Sequence, residues 1–391
     1  MSAGEADARK SPKIFLIAAE ESGDRLGAGL IKALRERLEP AATFAGIGGR
    51  HMAEQGLTSL VSIDDLSIIG FMSIPKKLPM ILRRIREATD AVLKERPDIL
   101  VIIDSPDFTH RVARRVRARD PSIPIVDYVS PTVWVWRPGR ARKMRAYIDQ
   151  LLAVLPFEPE VHRKLGGPPC SYVGHPLLDD IDALRPNAEE LARRSAAPPL
   201  LLVLPGSRRS EIKRNMAIFG ETLRLLRAQD MSFEPVLPTV PALLESVRAA
   251  AADWPIQPRI VVSDGEKKAA FRTARAALAK SGTVTLELAL AGVPMVTAYR
   301  VTEFEAFVAR RVIQTSSIIL ANLILGENVI PEFLQQDFTA ENLAPALRDI
   351  LADTPARQRQ VEAFARLEQI MSTGGKRPSE LAADGVIATL R

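Results

Sequence analysis

Alternation constrains this chain more than any other feature: short aliphatic runs recur between stretches of helical periodicity. In the first half the runs are Ile14–Ala19, Thr43–Ile47, Ile99–Asp104, Ile125–Val129, Leu151–Leu155 and Tyr172–Val173. In the second half they are Leu200–Leu204, Glu234–Leu237, Ile260–Val262, Ala276–Ala279 and Met295–Ala298. Helical periodicity is clearest in Arg25–Leu38, Leu82–Lys94, Asn215–Ala228, Pro241–Ala251 and Thr283–Ala291. The run Ile99–Ile103 carries no polar residue, as a strand built for complete burial requires. Strands alternating with helices predict parallel α/β architecture.

A chain of 391 residues is too long for one ordinary core. The segment PLLDDIDALRPNAEELARRSAAPP (176–199) is polar, bounded by prolines and without strand signal, so it reads as a linker between two Rossmann-like domains. The expected division is a disordered lead-in over 1–12, domains over 13–180 and 181–355, and a tail over 356–391. The tail shows two helical patterns around STGGKRPS (372–379) and has no strand, so both helices should pack across an existing domain or onto a partner.

The 47% hydrophobic and 26% charged content is that of a soluble globular protein. Cys170 has no second cysteine to pair with, which excludes an internal disulfide and fits a reducing compartment. No signal-peptide pattern opens the chain, and no window approaches the roughly 18 apolar residues of a membrane span. A cytoplasmic location is expected. The net charge of +6 is concentrated in RVARRVRAR (111–119), WRPGRARKMR (136–145) and around Lys76, Lys77, Arg83, Arg84 and Arg86. Such surface attracts phosphate, or is simply a solvated helix face.

Ligands of open parallel sheets bind outside the carboxyl ends of the strands. Two such domains facing each other would form a cleft lined by the loops that follow the strands. At the end of Ile99–Ile103 stand Asp104, expected to face the cleft, and Asp107, placed to cap a helix starting near Phe108. In AEESGDRLGAGL (19–30), Gly23 permits a tight turn and the following amides can meet an anion. The alternative there is a plain turn capped by Ser22 or Asp24. LPGSRRSEI (204–212) offers Gly206 for close approach and Ser207 and Arg208 as phosphate donors.

AKSGTVTLELALAGVP (279–294) places Ser281, Gly282 and Thr283 at a helix start, a metal-free pyrophosphate cradle. One turn on, Glu287 could hold the hydroxyls of a ribose; a capped core helix with a half-buried glutamate is the plainer alternative. In YVSPTVWVWRPGRARKMR (128–145), Trp134 and Trp136 would point to opposite sides if extended, and Arg137, Arg140, Arg142 and Lys143 could meet an acceptor phosphate. LSIIGFMSIPKKLPMILRRIR (66–86) sets apolar residues beside cations, suited to a membrane headgroup layer, an acyl groove or plain burial. Pro75 and Pro79 should break it.

The four histidines show no paired ligand spacing, and GxSxG is absent. Asp180 and Asp182 spell DxD but sit in the linker. The chemistry is therefore expected to need neither metal nor cofactor.

Taken together, ESGDRLGAGLI (21–31), FAGIGGRHM (44–52), IDSPDF (103–108), YVSPTVWVWR (128–137), LPFE (155–158), GHPLLD (174–179), LPGSRRSEI (204–212), SGTVTLELAL (281–290), VPMVTAYR (293–300), ANLILGE (321–327) and PEFLQ (331–335) resemble, in order, the lipid-A-disaccharide synthase family. That family consists of inverting glycosyltransferases with two Rossmann-like domains (GT-B). The resemblance implies transfer of 2,3-diacylglucosamine from UDP to the 6-hydroxyl of 2,3-diacylglucosamine 1-phosphate (lipid X), giving a β-1,6 disaccharide 1-phosphate and UDP. It implies donor contacts at Arg208, Ser281, Gly282, Thr283, Glu287 and Asn322, beside Ser207 named above, and an acceptor side near Glu20, Ser22 and Asp104. Of the catalytic candidates Asp104 and Glu20, Asp104 is expected to be the base because it ends a buried strand. Acceptor or lipid contacts would fall at Ser22, Ile68, Ile69, Phe71, Met72, Leu82, Trp136 and Arg137. It further implies peripheral association with the inner membrane and a homodimer exchanging its C-terminal helices. Two residues depart from the family pattern: Ala19, usually glycine, and Lys280, usually small. Rival readings are a UDP-sugar 2-epimerase on a similar scaffold, a sugar- or nucleotide-binding module, and, from the basic runs alone, a nucleic-acid binder.

Overall fold

All eleven expected strands form, and two short ones join them. In the computed structural model, which describes residues 11–38, 41–60, 74–312, 315 and 317–390, the chain makes two compact units, Met1–Asp179 with Thr373–Arg391 and Asp180–Ser372. The first holds β1 (Lys13–Ala18), β2 (Thr43–Ile47), β3 (Thr58–Ser59), β4 (Ile99–Ile103), β5 (Ile125–Tyr128), β6 (Gln150–Ala153) and β7 (Cys170–Tyr172). They form one parallel sheet in the order β3-β2-β1-β4-β5-β6-β7. The second holds β8 (Leu200–Leu204), β9 (Glu234–Pro238), β10 (Arg259–Val261), β11 (Ala276–Lys280), β12 (Met295–Tyr299) and β13 (Glu332–Leu334), in the parallel order β10-β9-β8-β11-β12-β13. The added strands, β3 and β13, are short edge strands. They bury one flank at most, so their sequences carry no continuous apolar run.

Both orders reverse direction once, between β1 and β4 in the first unit and between β8 and β11 in the second. At such a switch point the connecting helices diverge to opposite faces and leave a crevice beyond the strand ends. The four strands that flank these points are buried almost throughout, so the loops after them rest on rigid supports.

Several local expectations are corrected. Pro79 lies inside one continuous helix, Ile74–Glu95. Near a helix start it removes one backbone bond, while Ile81, Ile85, Ala88 and Val92 form a stripe that anchors the helix in the core. Leu82 stands beside that stripe and is half-buried; Ile68, Ile69, Phe71 and Met72 lie outside the described residues. The supposed linker is ordered within the second unit from Asp180 onward. Its helix Ala188–Ser195 opens with a reciprocal Asn187–Glu190 capping box, and Arg194 donates to the carbonyls of Phe271, Arg272, Ala291 and Gly292. The tail divides rather than crossing as a pair. Helix Pro355–Met371 stays in the second unit, where Gln360 exchanges two hydrogen bonds with the Met295 backbone (2.8 and 3.0 Å). Only Pro378–Ile387 returns to the first unit, packing on helix Glu21–Arg37 through Arg37–Asp384 (3.1 Å).

Candidate functional site

In the first unit the switch point brings together the residues after β1 and β4. Helix Glu21–Arg37 can approach β4 because Gly23 has no side chain: a Cβ there would lie 3.2 Å from the Ile103 carbonyl oxygen. Gly23 thus acts by close approach inside the helix, not in the turn expected for it. Glu20, exposed, precedes the helix, and Ser22 Oγ donates to Asp104 Oδ2 at 3.2 Å. Asp104 and Ser105 both hold left-handed backbone (φ 53° and 47°), an uncommon state for two consecutive non-glycine residues. The conformation is tied by Asp104 N–H to the Tyr128 carbonyl (3.0 Å) and by Thr109 Oγ to the Asp104 carbonyl (2.7 Å). Its Oδ1 accepts from the Ser105 amide at 2.7 Å, and among the described residues no cation pairs with the carboxylate.

The other acid of this loop is different. Asp107 lies in the first turn of helix Pro106–Arg119, whose N-cap is Ser105, so the expected capping role is corrected. It is an exposed partner of Arg140 at 2.9 Å, an ion pair worth little. Asp24, offered above as a cap for its own helix, instead caps another. It is buried and accepts from the amides of Gly49, His51 and Met52 at 2.6, 2.8 and 3.1 Å, holding the start of helix Arg50–Glu54.

After β5 the chain turns instead of extending, with Val135 and Trp136 amides bonded to the Thr132 carbonyl, so the two tryptophans do not alternate across a strand. Trp134 donates to buried Glu158 (3.1 Å), whereas Trp136 stacks under the Arg137 guanidinium (4.1 Å). Arg137 also has left-handed backbone, φ 54°. This loop follows the strand next to β4, which puts Trp136 and Arg137 on the same edge of the sheet as Asp104.

Behind it lies a buried polar cluster that no expectation named. Glu158 accepts from Leu155 N–H (3.0 Å), and Ser130 Oγ meets His162 Nε2 at 2.8 Å. Burial pushes the Glu158 carboxyl up to about 7 and the His162 and His175 imidazoles down to about 4. Each shift favours the neutral form, and the signs for stability oppose. A histidine held below its ordinary 6.5 makes stability rise with pH from about 4 to about 6.5. Glu158, held above its ordinary 4.5, makes stability fall as pH rises from about 4.5 through about 7. Urea unfolding of His162→Asn is expected to show a smaller gain between pH 4 and 6.5 than the parent chain, by about 3 kcal/mol at most. An unchanged gain would exclude His162 as its source.

The second switch point holds a cavity of about 440 Å³ lined by the ends of β8, β9 and β11. Of the residues named as donor contacts, Ser207, Arg208, Gly282, Thr283 and Glu287 line it, together with Glu211, Thr239, Lys267 and Lys280. Gly206 (φ 122°) lets the loop fold over Glu211, whose Oε2 accepts from the amides of Ser207 and Arg208 at 2.9 and 3.2 Å. A Cβ on Gly206 would lie 2.4 Å from that oxygen. The buried Asn215 amide donates to the Pro205 carbonyl at 2.7 Å and fixes the loop from below. Glu287 pairs with Lys267 (2.7 Å) and Glu211 with Lys280 (3.3 Å). Arg208 pairs with no carboxylate among the described residues. Thr239 Oγ1 is buried at the cavity wall without a partner among them.

Two expected donor contacts are not in the cavity lining. Ser281 is buried, its amide bonded to the Ala298 carbonyl. Asn322 is 1% exposed and fully engaged: Oδ1 accepts from Val329 and Ile330, and Nδ2 donates to the Ile330 carbonyl and Glu332. Its place is structural, shaping the loop that leads into β13. Lys267 and Thr239 escaped sequence reading because they follow strands with ordinary surface sequences, and only the sheet order brings them to the switch point. Glu211 stood within a noted motif, three residues past Arg208, a capping-box spacing that could have identified it.

A family model described as lipid-A-disaccharide synthetase matches residues 14–386. The lipid-A-disaccharide synthase of Nitrobacter hamburgensis is 66% identical over 383 residues, covering 98% of this chain and 97% of that protein. That of Rhodospirillum centenum is 44% identical, covering 96% and 94%. Among solved structures, a Neisseria meningitidis UDP-GlcNAc 2-epimerase bound to UDP-GlcNAc matches with TM-score 0.61 and 11% identity, covering 96% of this chain and 99% of that one. Acinetobacter baumannii MurG matches with TM-score 0.58 and 15% identity, with the same coverage. The structural likenesses establish the expected class of two Rossmann-like domains and do not separate an epimerase from a transferase; the sequence relatives do.

Proposed function

The chain belongs to the lipid-A-disaccharide synthetase family, and from that premise we propose that it joins two acylated glucosamines into the lipid A disaccharide. It is a glycosyltransferase. The donor is UDP-2,3-diacylglucosamine and the acceptor is 2,3-diacylglucosamine 1-phosphate. The products are the β-1,6 disaccharide 1-phosphate and UDP, with inversion at the anomeric carbon.

The observation that carries this reading is the cavity at the second switch point, where Arg208, Lys267 and Lys280 outnumber Glu211 and Glu287. An excess of cations at strand ends suits a nucleoside diphosphate and the charge that develops as it departs. Ser207, Arg208, Gly282 and Thr283 bind the diphosphate, and Glu287 holds the ribose. In the first unit Asp104 takes the proton from the acceptor 6-hydroxyl as that oxygen attacks the anomeric carbon. Glu20 and Ser22 flank the base, and Arg137 with Trp136 receives the acceptor phosphate. No metal or cofactor is assigned a role.

The acyl chains of both substrates keep them at a bilayer surface, so the enzyme works as a peripheral protein of the cytoplasmic face of the inner membrane, as a homodimer. Among the described residues no helix is long and apolar enough to cross a membrane. Incubation with both acylated substrates is expected to release UDP and yield one disaccharide 1-phosphate per UDP by mass spectrometry. Conversion of the UDP-sugar to its 2-epimer without acceptor would favour the isomerase instead.

A further inference from the structure

We propose that Lys280 binds the diphosphate of the donor nucleotide directly, exchanging its Glu211 partner for a phosphate oxygen. The proposal rests on the donor reading above and extends it to a residue outside the expected contact set.

Lys280 is the last residue of β11, in register with Ala298 on β12 at the centre of the sheet. Its side chain is only 18% exposed, yet its ammonium lies at the cavity. Three contacts locate that ammonium. It is 3.3 Å from Glu211 Oε1, 4.7 Å from the centre of the Tyr299 ring, and 3.6 Å from where a Cβ on Gly282 would stand. The charge therefore sits over the Gly282 turn, within contact distance of a group resting on that glycine.

The two lysine–glutamate pairs of the cavity differ in what holds the acid. Glu287 meets Lys267 at 2.7 Å, the tighter pair. Glu211 commits Oε2 to the amides of Ser207 and Arg208 and meets Lys280 only through Oε1. When Lys280 turns to a phosphate, Glu211 keeps both amide bonds and the loop that carries Arg208 keeps its shape. Of the two paired lysines, Lys280 is thus the one whose release costs the site less. Together with Arg208 it supplies two positive charges on either side of the crevice, from β8 and β11, to match the two phosphates of a diphosphate.

The test is calorimetric titration of UDP and of uridine into the full chain, Lys280→Met, Glu211→Gln and the double variant. Methionine keeps the stem and removes the charge. Lys280→Met is expected to weaken UDP about tenfold, the loss of one charged contact, and to leave uridine unchanged. The same loss is expected when Lys280→Met is added to Glu211→Gln. The proposal is overturned by unchanged UDP affinity, by equal weakening of uridine, or by a loss that disappears in the Glu211→Gln background. That last outcome would make the lysine a mere neutraliser of the glutamate. Absence of UDP binding to the parent chain would overturn the donor reading along with this proposal, whereas the other outcomes leave that reading standing.

Discussion

Asp104→Asn is expected to lower turnover by roughly 10²- to 10⁴-fold, the range for loss of a general base, with the fold and UDP affinity retained. The argument is geometric. β4 is buried along its length and delivers Asp104 to the switch point, where bonds from Tyr128 and Thr109 hold a left-handed backbone that asparagine tolerates as well as aspartate. Oδ1 is engaged by the Ser105 amide, a bond an asparagine oxygen can also accept. Among the described residues, Oδ2 has only the weak 3.2 Å contact from Ser22. A carboxyl oxygen with one replaceable donor is what proton abstraction needs, and the substitution removes that alone. Turnover by UDP release, thermal unfolding and UDP titration should be measured on the same preparation. A folded Asp104→Asn chain with near-parent turnover would remove Asp104 from the chemistry. Asp107→Asn serves as the contrast, since it gives up one exposed ion pair, about 0–1 kcal/mol.

Arg208→Ala is expected to reduce kcat/KM by about 10²- to 10³-fold, with part of the loss appearing as weaker UDP binding. Arg208 opens helix Arg209–Arg227 and lines the cavity. The loop that carries it is set by Gly206, Glu211 and Asn215, none of which depends on its guanidinium, so truncation should leave the loop in place. Arg208→Lys should recover activity only in part, because a point charge does not reproduce two parallel donors. Unchanged kinetics and UDP affinity for Arg208→Ala would remove the residue from the donor site.

Much of this was legible in the sequence because parallel α/β folds write their buried strands as continuous apolar runs. Every internal strand was visible for that reason, and so were the loops that follow β1, β4, β8 and β11. The misreadings share a cause: they concern residues whose role depends on a neighbour distant in sequence. Asp24 was read against its own helix, but its three amide partners lie 25 to 28 positions away. Asn322 reads as a polar residue in a motif; only the fold reveals that all its valences are spent on Val329, Ile330 and Glu332. The segment 176–199 looked like a linker because its cohesion comes from Arg194 reaching carbonyls elsewhere in the unit and from Arg272 donating back to the segment's Glu190.

The sequence by itself determined the fold class, the internal strands, the family and the loops that carry the candidate chemistry. These depend on periodicity and on residue type at a strand end, which are local properties. Only the tertiary structure decided which of those residues share a site. The order of strands in a sheet is set by long-range packing, so the switch points between β1 and β4 and between β8 and β11 had no local signature. Those switch points gave Asp104 its place beside Ser22, and they gathered Arg208, Lys267, Lys280 and Glu287 around one cavity. The same packing turned Asn322 into a structural residue and left Lys280 lining the cavity, paired with Glu211.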